Sequence, residues 1–319
     1  MSKYNLFPLT DPISYEFFKK QQVSLWLSEE LDFKGDLDSF NKLTEEEKVI
    51  LELILGFFSP GDGMVSFNIV HNMMKSLDSF ENYAFLGTQL YIEIVHAETY
   101  GKFIQAFYPD ENDQKRIMEM AINSPIVKLK TDWIEQKMKE DIPLAERYLT
   151  FACVEGIFFC FLFALVFYFR KLGKLRNFIV SNEFISRDET LHRDYGCYMF
   201  KKLNGDREAG KRIISSAVDI ETKFIWEMAC DIDLPLTYQD LCQYLFCIAD
   251  QIFHLAGYDP MFNSKNPFVW INEISLSTKN NFYELPVGSY RKEDLKRAID
   301  WKSQLEDVKE EINYEEIDF

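Results

Sequence analysis

Along most of the chain apolar residues return every three to four positions, and strict two-residue alternation is scarce. That period belongs to helices with one face turned to a core, not to half-buried strands. It predicts helices over 12–28, 44–75, 80–107, 111–122, 124–140, 143–171, 176–203, 207–229 and 237–257. Two helix starts are marked by side chains able to satisfy free amides: Thr44-Glu-Glu-Glu47 has capping-box spacing, and Ser79 follows Leu77-Asp78. After Gly257 the periodicity fades, and residues 303–319 carry seven acidic side chains against one Lys. That composition predicts a flexible acidic C-terminal tail. The tail is either simply solvated or docks on a partner through Leu305, Val308, Ile312, Ile317 and Phe319.

Composition narrows the picture to an all-α protein. Thirteen Gly and ten Pro in 319 residues are too few for many short strands and tight turns, while 29 Phe supply a large aromatic interior. One domain with a tail is expected, since long helices can bury this length around one core. The net charge of −17 argues against a nucleic-acid surface, whose affinity comes from clustered Lys and Arg. The six Cys form no C-x-x-C pair and read as reduced core thiols of a cytoplasmic protein, and the N-terminus lacks the pattern of a secretory signal. Residues 151–169 contain one charge, Glu155, and on length alone resemble a membrane span. A carboxylate is costly in lipid without a partner, so a helix at the centre of a soluble bundle is the preferred reading.

The candidate chemistry lies in two Glu-x-x-His pairs, Glu93-Ile-Val-His96 and Glu189-Thr-Leu-His192, in a chain with four His. Positions i and i+3 lie about 60° apart on a helix, so each pair offers a carboxylate and an imidazole from one face. A bundle holding two metal ions needs two such helices and one carboxylate from each of two more. Glu155 and Asp62, each in an apolar stretch, complete that set. Each group alone also fits a plainer role, a surface Glu beside a core His or a buried salt bridge. Four carboxylates and two imidazoles suit iron or manganese better than zinc. Tyr100 follows His96 by four residues on the same face, and Phe159, Phe163 and Ile185 lean toward the same place from their spacing to Glu155 and Glu189. A dry, ring-lined pocket would protect an oxidised phenol.

These residues, with Val154-Glu-Gly-Ile-Phe-Phe159, Ser181-Asn-Glu-Phe-Ile-Ser-Arg-Asp-Glu-Thr-Leu-His192 and Asn266-Pro-Phe, resemble the small subunit of class I ribonucleotide reductases of the eukaryotic and viral type, from Phe7 to about Lys292. The resemblance implies a ferritin-like helical bundle over 1–285 and a tail over 286–319 that binds the large subunit. It implies that Asp62, Glu93, His96, Glu155, Glu189 and His192 hold two iron ions, with manganese an option. It further implies that the metal centre and dioxygen generate a radical stored on Tyr100, with Phe159, Phe163 and Ile185 as its pocket. Trp26, Asp188 and Tyr290 correspond to the route carrying the radical to the large subunit, where ribonucleotides are reduced. The Glu-Glu-Ile-Asp-Phe319 ending resembles the family's anchor, and a homodimer is expected. Two departures stand out: Ser59-Pro60-Gly61 predicts a kink just before Asp62, and the segment after Tyr290, with Trp301, is longer than expected. The other readings left open are a stand-alone two-metal oxidase and a metal-storage or scaffolding paralogue.

Overall fold

The computed structural model describes residues 5–74, 79–139, 141–268 and 270–271, and the described part falls within one unit, Met1–Ile274. Tyr290, Trp301, the expected boundary at 285/286 and the acidic end lie outside the described residues. Among the described residues the secondary structure is helical, with no strand. The order is α1 (Pro12–Ser24), α2 (Leu37–Phe40), α3 (Glu45–Asn68), α4 (Phe80–Phe107), α5 (Glu111–Ile122), α6 (Pro125–Lys137), α7 (Leu144–Cys153), α8 (Cys160–Lys171), α9 (Arg176–Lys202), α10 (Arg207–Asp231) and α11 (Tyr238–Leu255). The expected helices are present with ends shifted by a few residues.

Local chemistry explains several of those ends. Thr44 and Glu47 exchange the two bonds of a capping box, at 3.2 and 2.9 Å, and the Ser79 hydroxyl accepts from the Asn82 amide. The N-terminus of α9 is capped from a distance instead. Leu175 is left-handed at φ 53°, and the Asp36 carboxylate accepts from the amides of Asn177 and Phe178 at 3.1 and 2.8 Å.

Helix α3 runs through Ser59-Pro60-Gly61 without a break. Proline removes an amide and crowds the carbonyl four residues earlier, here Gly56. Gly56 is also a point of close approach between α3 and α5, since a Cβ there would lie 2.6 Å from the Ile117 carbonyl oxygen. Among the described residues, π-helical turns occur at Ile69–Met73 and Val154–Phe158.

The second turn interrupts the most apolar stretch of the chain, predicted as one helix over 143–171. Leu144–Lys171 is long and apolar enough to cross a membrane, but its most apolar window is wholly buried within the fold, so core packing accounts for its composition. Glu45–Met73 meets the same length criterion, half buried. Helix α7 packs on α9 and α10, α3 on α4 and α5, and α4 on α1. The ligand-bearing faces of α3, α4, the Val154–Phe158 turn and α9 thereby converge on one interior volume. Of the six cysteines, all free, Cys153, Cys160, Cys197 and Cys242 are buried as expected of core thiols, whereas Cys230 is exposed.

Candidate metal centre

Asp62 comes from α3, Glu93 and His96 from α4, Glu155 from the π-helical turn, and Glu189 and His192 from α9; all six are buried. Their donor atoms form two groups, Asp62-Glu93-His96-Glu189 and Glu93-Glu155-Glu189-His192, with the atoms of each group within 4.8 Å of one another. Glu93 and Glu189 belong to both. Each imidazole turns Nδ1 toward the shared carboxylates: His96 Nδ1 is 3.0 Å from Glu189 and 3.6 Å from Glu93, and His192 Nδ1 is 3.0 Å from Glu93 and 3.3 Å from Glu189.

Polar atoms in a dry interior normally have hydrogen-bond partners. Both Asp62 oxygens, one oxygen each of Glu93 and Glu155, and His192 Nε2 have none, while His96 Nδ1 and a Glu189 oxygen face each other at 3.0 Å without hydrogen-bond alignment. Such a concentration of orphaned acceptors fits a site for cations, and the oxygen-rich set matches two hard divalent ions.

The charge balance points the same way. Burial, reinforced by the surrounding carboxylates, pushes the Glu155 carboxyl well up. Burial does the same to Asp62, with His96 opposing. Burial disfavours charge on His192, yet the Glu189 and Glu93 carboxylates overcome it and raise the imidazole to about 9. His96 is likewise pushed well up against its burial, by Asp188, Glu189 and Glu93. The cluster draws positive charge to itself, from protons where no cation is held.

Asp188 links the cluster outward. Its Oδ2 accepts from the Trp26 indole at 2.9 Å and lies 3.3 Å from His96 Nε2, so His96 is held between Asp188 and the shared carboxylates. The Trp26 and His96 rings lie near-parallel with centroids 5.9 Å apart. Burial alone would raise the Asp188 carboxyl, but Arg187, His96 and Trp26 outweigh it and hold it below its usual value. Arg187 also donates to the Ser24 carbonyl at 2.7 Å, tying the end of α1 to this group.

Tyr100 is fully buried, and its hydroxyl donates to Asn182 Oδ1 at 2.8 Å. The Asn182 amide nitrogen in turn donates to the Phe178 carbonyl, which fixes the oxygen toward the phenol. The Tyr100 ring stacks on Phe58 with centroids 5.0 Å apart and an interplanar angle of 7°. Phe159 and Phe163 pack against Phe58, at 5.4 and 4.9 Å, forming the next layer of rings, and Ile185 is buried in the same core. Four more residues stand around the site without a role assigned from the sequence: Phe58, Asn182, Arg187 and Gln89. Gln89 donates to Glu155 at 3.2 Å and Glu93 at 3.4 Å. Its position one turn before Glu93 was the available clue.

A family model described as ribonucleotide reductase, small chain, matches residues 3–267. The chain belongs to that family. Among small chains of ribonucleoside-diphosphate reductase, that of Plasmodium falciparum (isolate Dd2) is 35% identical over 293 residues, covering 91% of this chain and 84% of the relative. That of Nicotiana tabacum is 32% identical over 309 residues, 96% of this chain and 94% of the relative. Of solved structures, the Rnr4 homodimer of Saccharomyces cerevisiae aligns with a TM-score of 0.76 and 26% identity, over 86% of this chain and 89% of that one. The dimanganese(II)-NrdF of Streptococcus sanguinis aligns at 0.75 over 83% and 95%; at 19% identity the likeness bears on the fold. The ferritin-like architecture expected of the ribonucleotide reductase small chain is thus the one observed.

Proposed function

We propose that this small chain generates and stores a tyrosyl radical on Tyr100 and passes it to the large subunit of ribonucleoside-diphosphate reductase, which reduces ribonucleotides to deoxyribonucleotides. The observation that carries the reading is a pair of four-donor groups sharing Glu93 and Glu189, formed within the same helices as a fully buried Tyr100. Asp62, Glu93, His96, Glu155, Glu189 and His192 would hold two iron ions, or manganese, which with dioxygen supply the oxidising power to remove one electron from a tyrosine.

The chain's own residues set what that electron loss requires. Burial, and the negative charge of Asp62, Glu189 and Glu93, push the Tyr100 phenol well above its ordinary pKa, so the reduced side chain is protonated and the phenolate is disfavoured. Loss of an electron therefore goes with loss of the proton. Asn182 is no base; it orients the phenol while the proton is present. The proton would pass toward the carboxylate cluster, of which Asp62 acts most strongly on the phenol and would be ionised once cations are held. Phe58, backed by Phe159, Phe163 and the buried Ile185, keeps water and reductants from the ring. Trp26, bonded to Asp188 beside His96, is the exit for the oxidising equivalent, and Tyr290 continues the route in the tail. The acidic end is the anchor for the large subunit.

The chain is read as a cytoplasmic homodimer. Phe80, Tyr83, Tyr91 and Ile94 are exposed to 39%, 47%, 44% and 54%, and at 100° per residue they fall within about 80° of arc on α4. An exposed apolar stripe of this kind suits a second copy. A stand-alone oxidase has one observation in its favour, an apolar cavity of about 550 Å³ reaching Gly61 and Phe159. It leaves the Trp26-Asp188-His96 chain without a use.

The test is to load the metal-free protein anaerobically with Fe(II), admit oxygen and record the electron paramagnetic resonance spectrum. A tyrosyl doublet is expected in the wild type and absent in Tyr100→Phe with its metal retained. A wild type that forms no radical with iron or manganese would overturn the proposal.

A further inference from the structure

Lys130 of α6 and Glu221 of α10, neither of them among the six ligand residues, meet inside the protein with Nζ 2.6 Å from Oε2. Both are buried, and Lys130 is the charged partner through which Glu221 is compensated. The ammonium group lies 3.6 Å from the centroid of Phe224 and 5.2 Å from that of Phe158. Burying an ion pair costs desolvation that its attraction barely recovers, and apolar side chains of similar volume commonly serve stability as well. Stability alone is therefore a poor account of the pair.

The third contact of Lys130 supplies a better one. Its Nζ donates to the Phe158 carbonyl at 3.3 Å. Phe158 ends the π-helical turn that carries Glu155 and precedes Phe159, the cap of α8, so its carbonyl lies before the start of that helix's internal bonding. Trp133, one turn after Lys130, packs edge-on to the Phe158 ring at 5.2 Å and is anchored to Ser216 of α10 at 2.9 Å. From the other side the turn meets α9 and α11 at Gly156, where a Cβ would come within 2.8 Å of Arg193 Cδ and 2.7 Å of Ile252 Cδ1. Glu155 projects from a segment gripped on both flanks.

We propose that Lys130, neutralised by Glu221, is a positioning residue for the metal centre: by binding the Phe158 carbonyl it holds the π-helical turn in the register that presents Glu155 to the Glu93-Glu155-Glu189-His192 group. The inference rests on the metal-centre reading above and extends it to a pair that touches no ligand. It also divides the two four-donor groups, because the Asp62-Glu93-His96-Glu189 group takes nothing from this turn.

The experiment uses the full chain and Mn(II), titrated anaerobically by calorimetry with paramagnetic resonance of the bound ion. Lys130→Met/Glu221→Leu removes both charges and keeps an apolar volume, so no orphaned carboxylate is left to unfold the protein. Glu221→Gln keeps Lys130 and gives it a neutral acceptor. Wild type and Glu221→Gln are expected to take two ions, whereas in the double variant one ion binds at least about tenfold more weakly, the size typical of lost groups behind metal ligands. Amides of 155–159 should exchange faster in the double variant and not in Glu221→Gln. Two ions bound with wild-type affinity in the double variant would overturn the inference and leave the metal centre standing. A wild type that takes no Mn(II) or Fe(II) would overturn both.

Discussion

Protons and metal compete for the same atoms in the buried cluster. His192 is raised to about 9 in the metal-free protein, so near neutral pH its imidazole holds a proton that a cation must displace, and burial shifts the Asp62 and Glu155 carboxyls in the same direction. Metal affinity is expected to climb with pH up to about 9, with proton release that calorimetry in buffers of different ionisation enthalpy will count. For stability the sign reverses. A His192 pKa above its unfolded value near 6.5 contributes stability that is full below 6.5 and lost as pH rises through about 9, and the raised carboxyls act in the same direction. The metal-free protein should thus melt at lower temperature at pH 9 than at pH 6, and added Mn(II) should narrow the gap. Proton-free metal uptake would contradict this. Much of the site was legible residue by residue: Glu-x-x-His spacing located two pairs, and the lone charge in an apolar helix located Glu155. Gln89, Asn182 and Phe58 were not, because an amide or a phenylalanine in a helix has no chemical signature until the fold places another group against it.

At the scale of elements, close approach of helices sets the geometry around the site. A Cβ at Gly196 would lie 2.7 Å from the Tyr148 carbonyl oxygen, so α7 and α9 meet backbone to backbone there. Gly196→Ala must push apart the helix leading into the Glu155 turn and the helix bearing Glu189 and His192. A loss of about 1–3 kcal/mol in urea unfolding is expected, the usual cost of overpacking. Unchanged stability would mean that the helices separate freely. Helix identity was readable from the period of apolar residues, but two features that aim side chains were not. The π-helical turn at Val154–Phe158 coincides with Glu155 and Gly156 in an otherwise apolar run, but neither residue specifies a π turn over continued α-helix. Helix α1 ends at Ser24, not at 28, and leaves Trp26 in non-helical backbone from which its indole reaches Asp188. That ending depends on contacts with α9, including Arg187 on the Ser24 carbonyl.

For the whole molecule, the exposed stripe on α4 bears on assembly. Ile94, more than half exposed, lies one residue from Glu93. Ile94→Lys is expected to turn a dimer into a monomer in sedimentation equilibrium while leaving helix content unchanged. A wild type that sediments as a monomer at micromolar concentration would remove this face as the interface. The helical class follows from composition and periodicity, whereas burial of the 144–171 stretch needed the packed structure, since length and apolarity alone fit lipid equally well.

The near-parallel contact of Phe58 with Tyr100 has a consequence in time as well as space. The radical proposed for Tyr100, walled in by rings, would persist because reductants cannot reach it, so its lifetime would report how often the wall opens. Small scavengers should then quench it at rates proportional to their concentration. Bulky ones of equal reducing power should saturate at a ceiling set by the breathing of α3, and Phe58→Ala should lift that ceiling.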